Sequence, residues 1–456
     1  MLSTLSFDSA LADLGNRLNG SFALPGDETW DDARQAWNLA VDQRPAMVVL
    51  PVSSSDVQAV VDYARAKGLR IAMQGTGHNA APLGSLDGTI LVKTTAMRGV
   101  EIDAEARIAR VEAGVLWAEV TGPASELGLA PLAGSSPDVG VVGYTLGGGL
   151  SWLGRRYGLA AERLTAVEVV TADGRLVRAD RHTDADLFWA LRGGGGSFGA
   201  VTAIEFELIE LPAVHAGMFL WPIECAAEVA HAWREWTATA PDTVTTSLRI
   251  MHMPPMPELP DFLRGRSIVV VDGASLGEEA VAAEVLAPLR ALEPEMDTFA
   301  MMPPVGLSYI HMDPEHPVPA MSETAMLDAL PAAAIDTFLD VAQPGGPLMM
   351  LELRHLGGAL ARRGSGALGN FGGAYLMFVL GVPMDPAMVP ELQASLALAH
   401  AAFTPYGSGR DYLNFAERAT DSARFYDTDA YARLRAVKTA VDPQNLFRGN
   451  HEIAPA

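Results

Sequence analysis

PAMVVLPVSSSDVQAVVDYARAKGLRIAMQGTGHN, residues 45–79, decides the fold class. PAMVVLP reads as a short buried strand because its apolar residues run without interruption, and SSSDVQAVVDYARAKG reads as a helix with a serine at its cap. Val57, Val60, Val61 and Ala64 recur at helical spacing and give that helix one apolar stripe. LRIAMQG is a second strand, running straight into the glycine-bearing turn GTGHN. Outward from there, GTILVKT and GVEIDAEARIARVEAG supply more strand and LWAEVTGPASELG a helix, so the opening is α+β. LTAVEVVTADGRLVRAD, residues 164–180, is a strand, an Asp-Gly turn and a second strand, which predicts a β-hairpin. DADLFWALRGGGGSFGAVTAIEFELIEL, residues 184–211, adds a short helix, a glycine run and a strand that stops at Pro212.

At 456 residues the chain exceeds the size at which single cores divide, roughly 250–300 residues, so two domains are expected. Composition shifts after Pro212 toward methionine and proline, with helical stretches at AAEVAHAWREW, EEAVAAEVLAPLRAL and AAAIDTFLDVA between strands such as RSIVVVDG and PLMMLELRHL. The boundaries expected are 1–212, 213–400 for an inserted second domain, and a tail, 401–456, that returns to pack on the first. Net charge of −23 argues against a nucleic-acid partner, whose affinity is built on clustered Lys and Arg. One cysteine, Cys225, permits no internal disulfide and no Cys-based zinc site. The N-terminus lacks a basic start followed by an apolar core, and nowhere do about 18 uncharged apolar residues run together. These features predict a cytoplasmic protein that does not enter a membrane.

Gly75, Thr76, Gly77, His78 and Asn79 sit at a strand end, where glycines let main-chain N–H groups converge on an anion. By itself the pattern fits many turns, and a lone loop histidine is commonly a surface residue. Residues 131–160 hold seven glycines before Gly158, and Gly140, Gly143, Gly147, Gly148 and Gly149 form a second region where backbone can approach a ligand closely. Two such loops point to a large, extended phosphate ligand. Neither carries the dinucleotide fingerprint in a βαβ setting, and no Walker-type Gly-Lys-Ser/Thr is present. The run Gly193 to Gly196 reads equally as a third ligand contact or as a turn. His252, His311 and His316 have no zinc-ligand spacing and read as surface or core histidines, and no metal is expected. Methionines of IMHMPPMPEL and FAMMPPV line an adaptable apolar pocket or, more commonly, fill core gaps.

In order along the chain, PAMVVLPVSSSDVQAVVDYARAKGLRIAMQGTGHN, SSPDVGVVGYTLGGGLSWLGRRYGL, ALRGGGGSFGAVTAIEFEL, and near the end DYLNF and VDPQNLF, resemble the berberine-bridge-enzyme-like FAD oxidases of the vanillyl-alcohol oxidase and p-cresol methylhydroxylase superfamily. The match is close over 45–212 and loose in between, where ELRHLGGAL resembles a family strand and turn. The resemblance implies a two-part FAD-binding domain of the p-cresol methylhydroxylase type with an inserted substrate domain laying an antiparallel sheet over the flavin ring. It implies FAD contacts at Gln74, Gly75, Thr76, Gly77, His78, Asn79, Ser136, Asp138, Val139, Gly140, Gly143, Tyr144, Gly147, Gly148, Gly149, Gly158, Val201, Tyr412 and Asn414.

His78 takes the place of the histidine bonded to the flavin 8α-methyl carbon. A second bond often comes from a cysteine, and Ser136 stands there, so that bond is ruled out. A covalent link raises the flavin's potential and thereby assists substrate oxidation. Val139 matches a position where a small side chain leaves room for oxygen, which favours oxidase over dehydrogenase; its competing reading is a core valine. Tyr412 and Asn414 match a Tyr-x-Asn element at the substrate side of the ring. A base must take a proton as the hydride leaves, with Tyr412 the first candidate and Glu352, His355 and Tyr375 the others. In a strand, Glu352 and His355 face opposite sides and cannot both enter one pocket. GNFGGAY departs from the Arg-containing turn often found before Tyr375. The expected reaction is two-electron oxidation of a C–O or C–N bond in a small, largely uncharged organic substrate, with molecular oxygen as acceptor. A dehydrogenase serving another acceptor and a non-catalytic flavin- or ligand-binding module are the rivals.

Overall fold

The computed structural model describes residues 2–257 and 259–456; Met1 of the first expected segment and Glu258 of IMHMPPMPEL lie outside the described residues. The fold is α+β, with three main sheets. Strands Met47–Leu50, Thr89–Lys93 and Arg70–Gln74 pair in parallel, and Ser21–Ala23 adds antiparallel at one edge. The helix between them, Ser54–Lys67, starts where Ser53 Oγ accepts the Asp56 N–H at 3.3 Å and stops at Gly68, whose positive φ of 65° closes the end. Its stripe of Val57, Val60, Val61 and Ala64 is buried as the periodicity predicts. Asp56, also buried, accepts backbone N–H groups of Asn19, Gly20 and Val52, tying the preceding segment down.

At the other edge of this sheet Phe447–Arg448 pairs in parallel with Ile71–Ala72, so the end of the chain completes a sheet begun near its start. Buried Lys438 fixes that return: its ammonium donates to Ser197 O at 2.6 Å, Phe447 O at 3.0 Å and Asp442 at 2.5 Å. The second sheet is antiparallel, ordered Val100–Asp103, Ile108–Glu112, Ala200–Glu207, Leu164–Val170, Leu176–Asp180. Its last two strands are the hairpin expected at the Asp-Gly turn.

An eight-stranded antiparallel sheet occupies residues 214–381. Helices Ala226–Thr237, Ala332–Val341 and Val389–Phe403 cover one face, burying Trp233, Phe338 and Phe403 against Leu248, Leu353 and Met377. Alternation sends the neighbours of those residues to the opposite face. That face carries Met218, Met251, Ile268, Val270 and Met350 as one apolar cluster, and beside it the buried polar side chains Ser247, Arg249, Asp272 and Glu352. At one end Met326 and Leu376 join the core that contains Tyr412, Leu146 and Val201. The polar face therefore meets the elements that carry the glycine loops.

Candidate active site

GTGHN follows strand Arg70–Gln74 as expected. Gly77 adopts φ 87°, and a β-carbon there would collide with Gln74 and Ala36. His78 Nδ1 lies 2.7 Å from Thr76 Oγ1, and the Trp37 ring stacks on the imidazole at 3.9 Å. Its Nε2 makes no hydrogen bond, although Asp138 Oδ1 stands 3.4 Å away. Asp138 also accepts from Ser136 Oγ at 2.8 Å and from the Trp37 indole N–H. Burial alone would raise the Asp138 carboxyl, but His78, Ser136 and Trp37 outweigh it and hold it below the usual range. Gln74 Nε2 and Asn79 Oδ1 are likewise buried without partners. Three unpartnered polar atoms beside the glycines of GTGHN fit a polar, extended cofactor such as FAD.

Gly140 caps the short helix Val141–Leu146, and space is open beside Gly143. Gly147, Gly148 and Gly149 follow; the Asn414 amide fills the place of a side chain at Gly147, and Gly148 has φ 111°. Tyr412 OH accepts the Gly149 N–H at 3.0 Å and the Asn414 Nδ2–H at 3.1 Å. Asn414 Nδ2 also donates to Tyr144 O at 2.9 Å, which gathers Tyr144, Asn414, Tyr412 and the glycines into one cluster. Val139 is half-buried on the loop between Asp138 and Gly140, and Gly158 takes φ 85° in the turn after Gly154–Tyr157. Val201 lies farther inside, in strand Ala200–Glu207 paired with Val169.

DYLNF is not a strand. Phe415 N and Ala416 N both donate to Tyr412 O, which closes a turn. Strand alternation therefore does not account for the meeting of Tyr412 with Asn414; the turn does. Buried deep, the Tyr412 hydroxyl is pushed above its ordinary value, with Gly149, Asn414 and Arg354 opposing the shift without cancelling it.

The other three base candidates separate. His355 and Tyr375 stack at 5.3 Å on the helix-covered face, near Trp233. His355 binds Arg155 at 2.8 Å, and burial together with that cation lowers it to about 3, so it is neutral. Tyr375 OH pairs with Thr237 at 2.8 Å. Only Glu352 lies on the face toward Tyr412, as its spacing from His355 requires. Glu352 Oε1 accepts from Arg354 Nε at 2.7 Å, while Oε2 is buried with no partner. Arg354 spans the gap: its guanidinium lies 5.0 Å over Phe415, whose ring stacks on Tyr412 at 5.6 Å.

Sequence reasoning missed Arg354, Asp272 and His311. His311 is a core histidine, one of the two alternatives its spacing leaves, and its Nδ1 lies 2.6 Å from Asp272 and its Nε2 3.2 Å from Arg354 Nη2. Nothing local in the sequence joins these groups, because two separate strands and a loop bring them together. Met251 and Met350 adjoin the cluster while Met301 is exposed, and in the run Gly193 to Gly196 a β-carbon at Gly193 would strike Leu368 and one at Gly194 would strike Leu434. His252 is tied to Ser267 and Ala342 O, and His316 is exposed. No helix among the described residues is long and apolar enough to cross a membrane.

Over residues 45–180 the chain matches the FAD binding domain family, and over 411–454 the family described as berberine and berberine like. It is 29% identical over 460 residues to (R)-6-hydroxynicotine oxidase of Paenarthrobacter nicotinovorans, covering 96% of this chain and 97% of that protein. Among solved structures, 6-hydroxy-D-nicotine oxidase from Arthrobacter nicotinovorans superposes with a TM-score of 0.82 at 26% identity, covering 96% of this chain and 98% of that one. Physcomitrella patens BBE-like 1 superposes with a TM-score of 0.85 over 98% of this chain and 99% of that one; at 21% identity the likeness is one of fold.

Proposed function

We propose that this chain is an FAD-linked oxidoreductase of the berberine-bridge-enzyme-like family and an oxidase of small alcohols or amines, with molecular oxygen as acceptor and hydrogen peroxide as product. FAD, when bound, supplies the two-electron acceptor. The observation that carries the reading is Glu352: a buried carboxylate, one oxygen neutralised by Arg354 and the other unpartnered, on the sheet face that meets the glycine loops. Such an oxygen is suited to take the proton from a substrate O–H or N–H as hydride leaves the adjacent carbon. Tyr412 is protonated at neutral pH because burial raises its hydroxyl; its oxygen accepts from Gly149 and Asn414, and its own hydrogen is left to donate to the substrate. Arg354 and Glu352 compensate each other's charge beside Met251 and Met350, which suits a largely uncharged substrate with one polar end.

A covalent link through His78 Nε2 is part of this proposal, supported by the engagement of Nδ1 with Thr76 and by Asp138, 3.4 Å from Nε2 and able to receive its proton. Ser136, hydrogen-bonded to Asp138, offers no second bond. Val139 is small and half-buried and leaves oxygen a way in. In this reading residues 1–212 and 401–456 hold the cofactor and 213–400 the substrate. Purified enzyme mixed anaerobically with a panel of amines, alcohols and sugars should bleach with at least one of the first two classes, and admitting air should restore the colour with formation of peroxide. Bleaching that air does not reverse, while a quinone does, would make it a dehydrogenase; no bleaching with any class would remove the reading.

A further inference from the structure

Asp272, on strand Ser267–Ser275, is wholly buried and surrounded by donors: Arg249 Nη2 at 2.5 Å, Ser247 Oγ, and His311 Nδ1 at 2.6 Å. Burial alone would raise its carboxyl, but the Arg249 guanidinium and the hydrogen bonds from His311 and Ser247 hold it far below the usual range, so it is an anion. An anion at that distance from Nδ1 selects the imidazole tautomer with the proton on Nδ1. The other nitrogen agrees, because Nε2 lies 3.2 Å from Arg354 Nη2, a group that can only donate. Arg249 Nη1 donates to His311 O at 3.0 Å, and Trp152 covers the imidazole at 5.6 Å, so the ring has little freedom to turn. Arg354 in turn donates to Glu352 Oε1. The remaining groups that face Nε2 are Glu352 Oε1 at 3.8 Å and Asp313 at 3.9 Å, the latter held by Ser135 at 2.8 Å.

We propose that His311 is a positioning residue for the proton-accepting carboxylate: anchored by Asp272 with its proton on Nδ1, it presents a bare Nε2 that fixes Arg354 against Glu352 and leaves Glu352 Oε2 free for the substrate. The chain of contacts runs Asp272, His311, Arg354, Glu352, across two strands of one sheet and the loop that carries His311. It rests on the reading of Glu352 given above and adds to it the reason why one carboxylate oxygen is occupied and the other is not.

Two substitutions separate this role from plain structural support. His311→Gln keeps an acceptor near Nε2 and gives up the bond to Asp272; His311→Asn keeps a donor near Nδ1 and gives up the bond to Arg354. If His311 positions Arg354, the Gln variant should reduce its flavin within about threefold of wild type. The Asn variant should be slower by roughly 10- to 100-fold, the usual worth of a hydrogen bond to a charged group. Flavin absorbance should be unchanged in both. The opposite order, or equal rates, would overturn the proposal. Nitrogen-15 histidine spectra of the wild-type holoenzyme give a reading that needs no substrate: an unprotonated Nε2 with a protonated Nδ1 at His311, identified by its loss in the variants, supports the proposal, and a proton on Nε2 overturns it. Glu352→Gln at the wild-type rate would remove the reading of Glu352 itself, whereas a slow Glu352→Gln with equal His311 variants would remove the role of His311 alone.

Discussion

The hydroxyl of Tyr412 accepts the backbone N–H of Gly149 at 3.0 Å, which joins the last segment of the chain to the glycine loop 263 residues earlier. The same oxygen accepts from Asn414, so removing it leaves two donors without their acceptor. Tyr412→Phe should keep FAD bound and slow flavin reduction by roughly tenfold, through misplacement of Asn414 and Gly149 and loss of one donor to the substrate. Stopped-flow measurement of anaerobic reduction checks this, and loss comparable to that of Glu352→Gln would return the role of base to Tyr412.

His78 is the expected anchor. Wild-type colour should stay in the pellet on acid precipitation, and His78→Ala should release it to the supernatant. Asp138→Asn should lower the bound fraction without abolishing it, because it removes a proton acceptor 3.4 Å from Nε2 and leaves Thr76 in place. Colour released from wild type by acid would end the covalent proposal and leave FAD binding untouched.

Val139→Leu should slow reoxidation of the reduced flavin by oxygen and change its reduction by substrate little. Equal reoxidation in the two proteins would show that Val139 does not govern oxygen access.

Glu417 gives a pH-dependent signature. Burial, with Glu323 nearby, raises its carboxyl from 4.5 to about 7 against the opposing bonds from Ser322. Between those values the folded protein keeps a proton that the unfolded chain releases, so stability from this group is present at the acid end and falls as pH rises through the window. Melting temperature relative to Glu417→Gln should therefore decline from pH 5 to pH 7.5; a constant difference contradicts the assignment.

Lys438 and Asp442 form a fully buried pair at 2.5 Å beneath the returning strand. Asp442→Asn leaves the ammonium uncompensated and should cost about 3–5 kcal/mol, read by chemical denaturation. Loss below about 1 kcal/mol, the worth of an exposed pair, would mean that water reaches the site.

Local patterns predict the helix, the hairpin and the glycine loop of the first two sheets. The helix Ser54–Lys67 follows from four apolar residues and a serine cap, the hairpin around Gly174 from an Asp-Gly pair, and the loop around His78 from its glycines. The separation of Glu352 from His355 follows from period-two alternation alone. What escaped reading depends on distant pairings. Ser247 stands opposite both Asp272 and Arg354 in the sheet, and that register, with the His311 loop folded over it, creates the polar cluster. Tyr412 and Asn414 were expected to meet in a strand and meet in a turn instead, because the carbonyl of Tyr412 is taken by Phe415 and Ala416.

The role of Glu352 as proton acceptor is tested by anaerobic flavin reduction by the best substrate in wild type and Glu352→Gln. Glutamine fills the same volume and keeps an acceptor for Arg354 while losing the ability to take a proton. Glu352→Gln is expected to hold its flavin and reduce it roughly 10²- to 10⁴-fold more slowly, the usual contribution of a positioned acid–base group. Reduction at the wild-type rate would contradict that role.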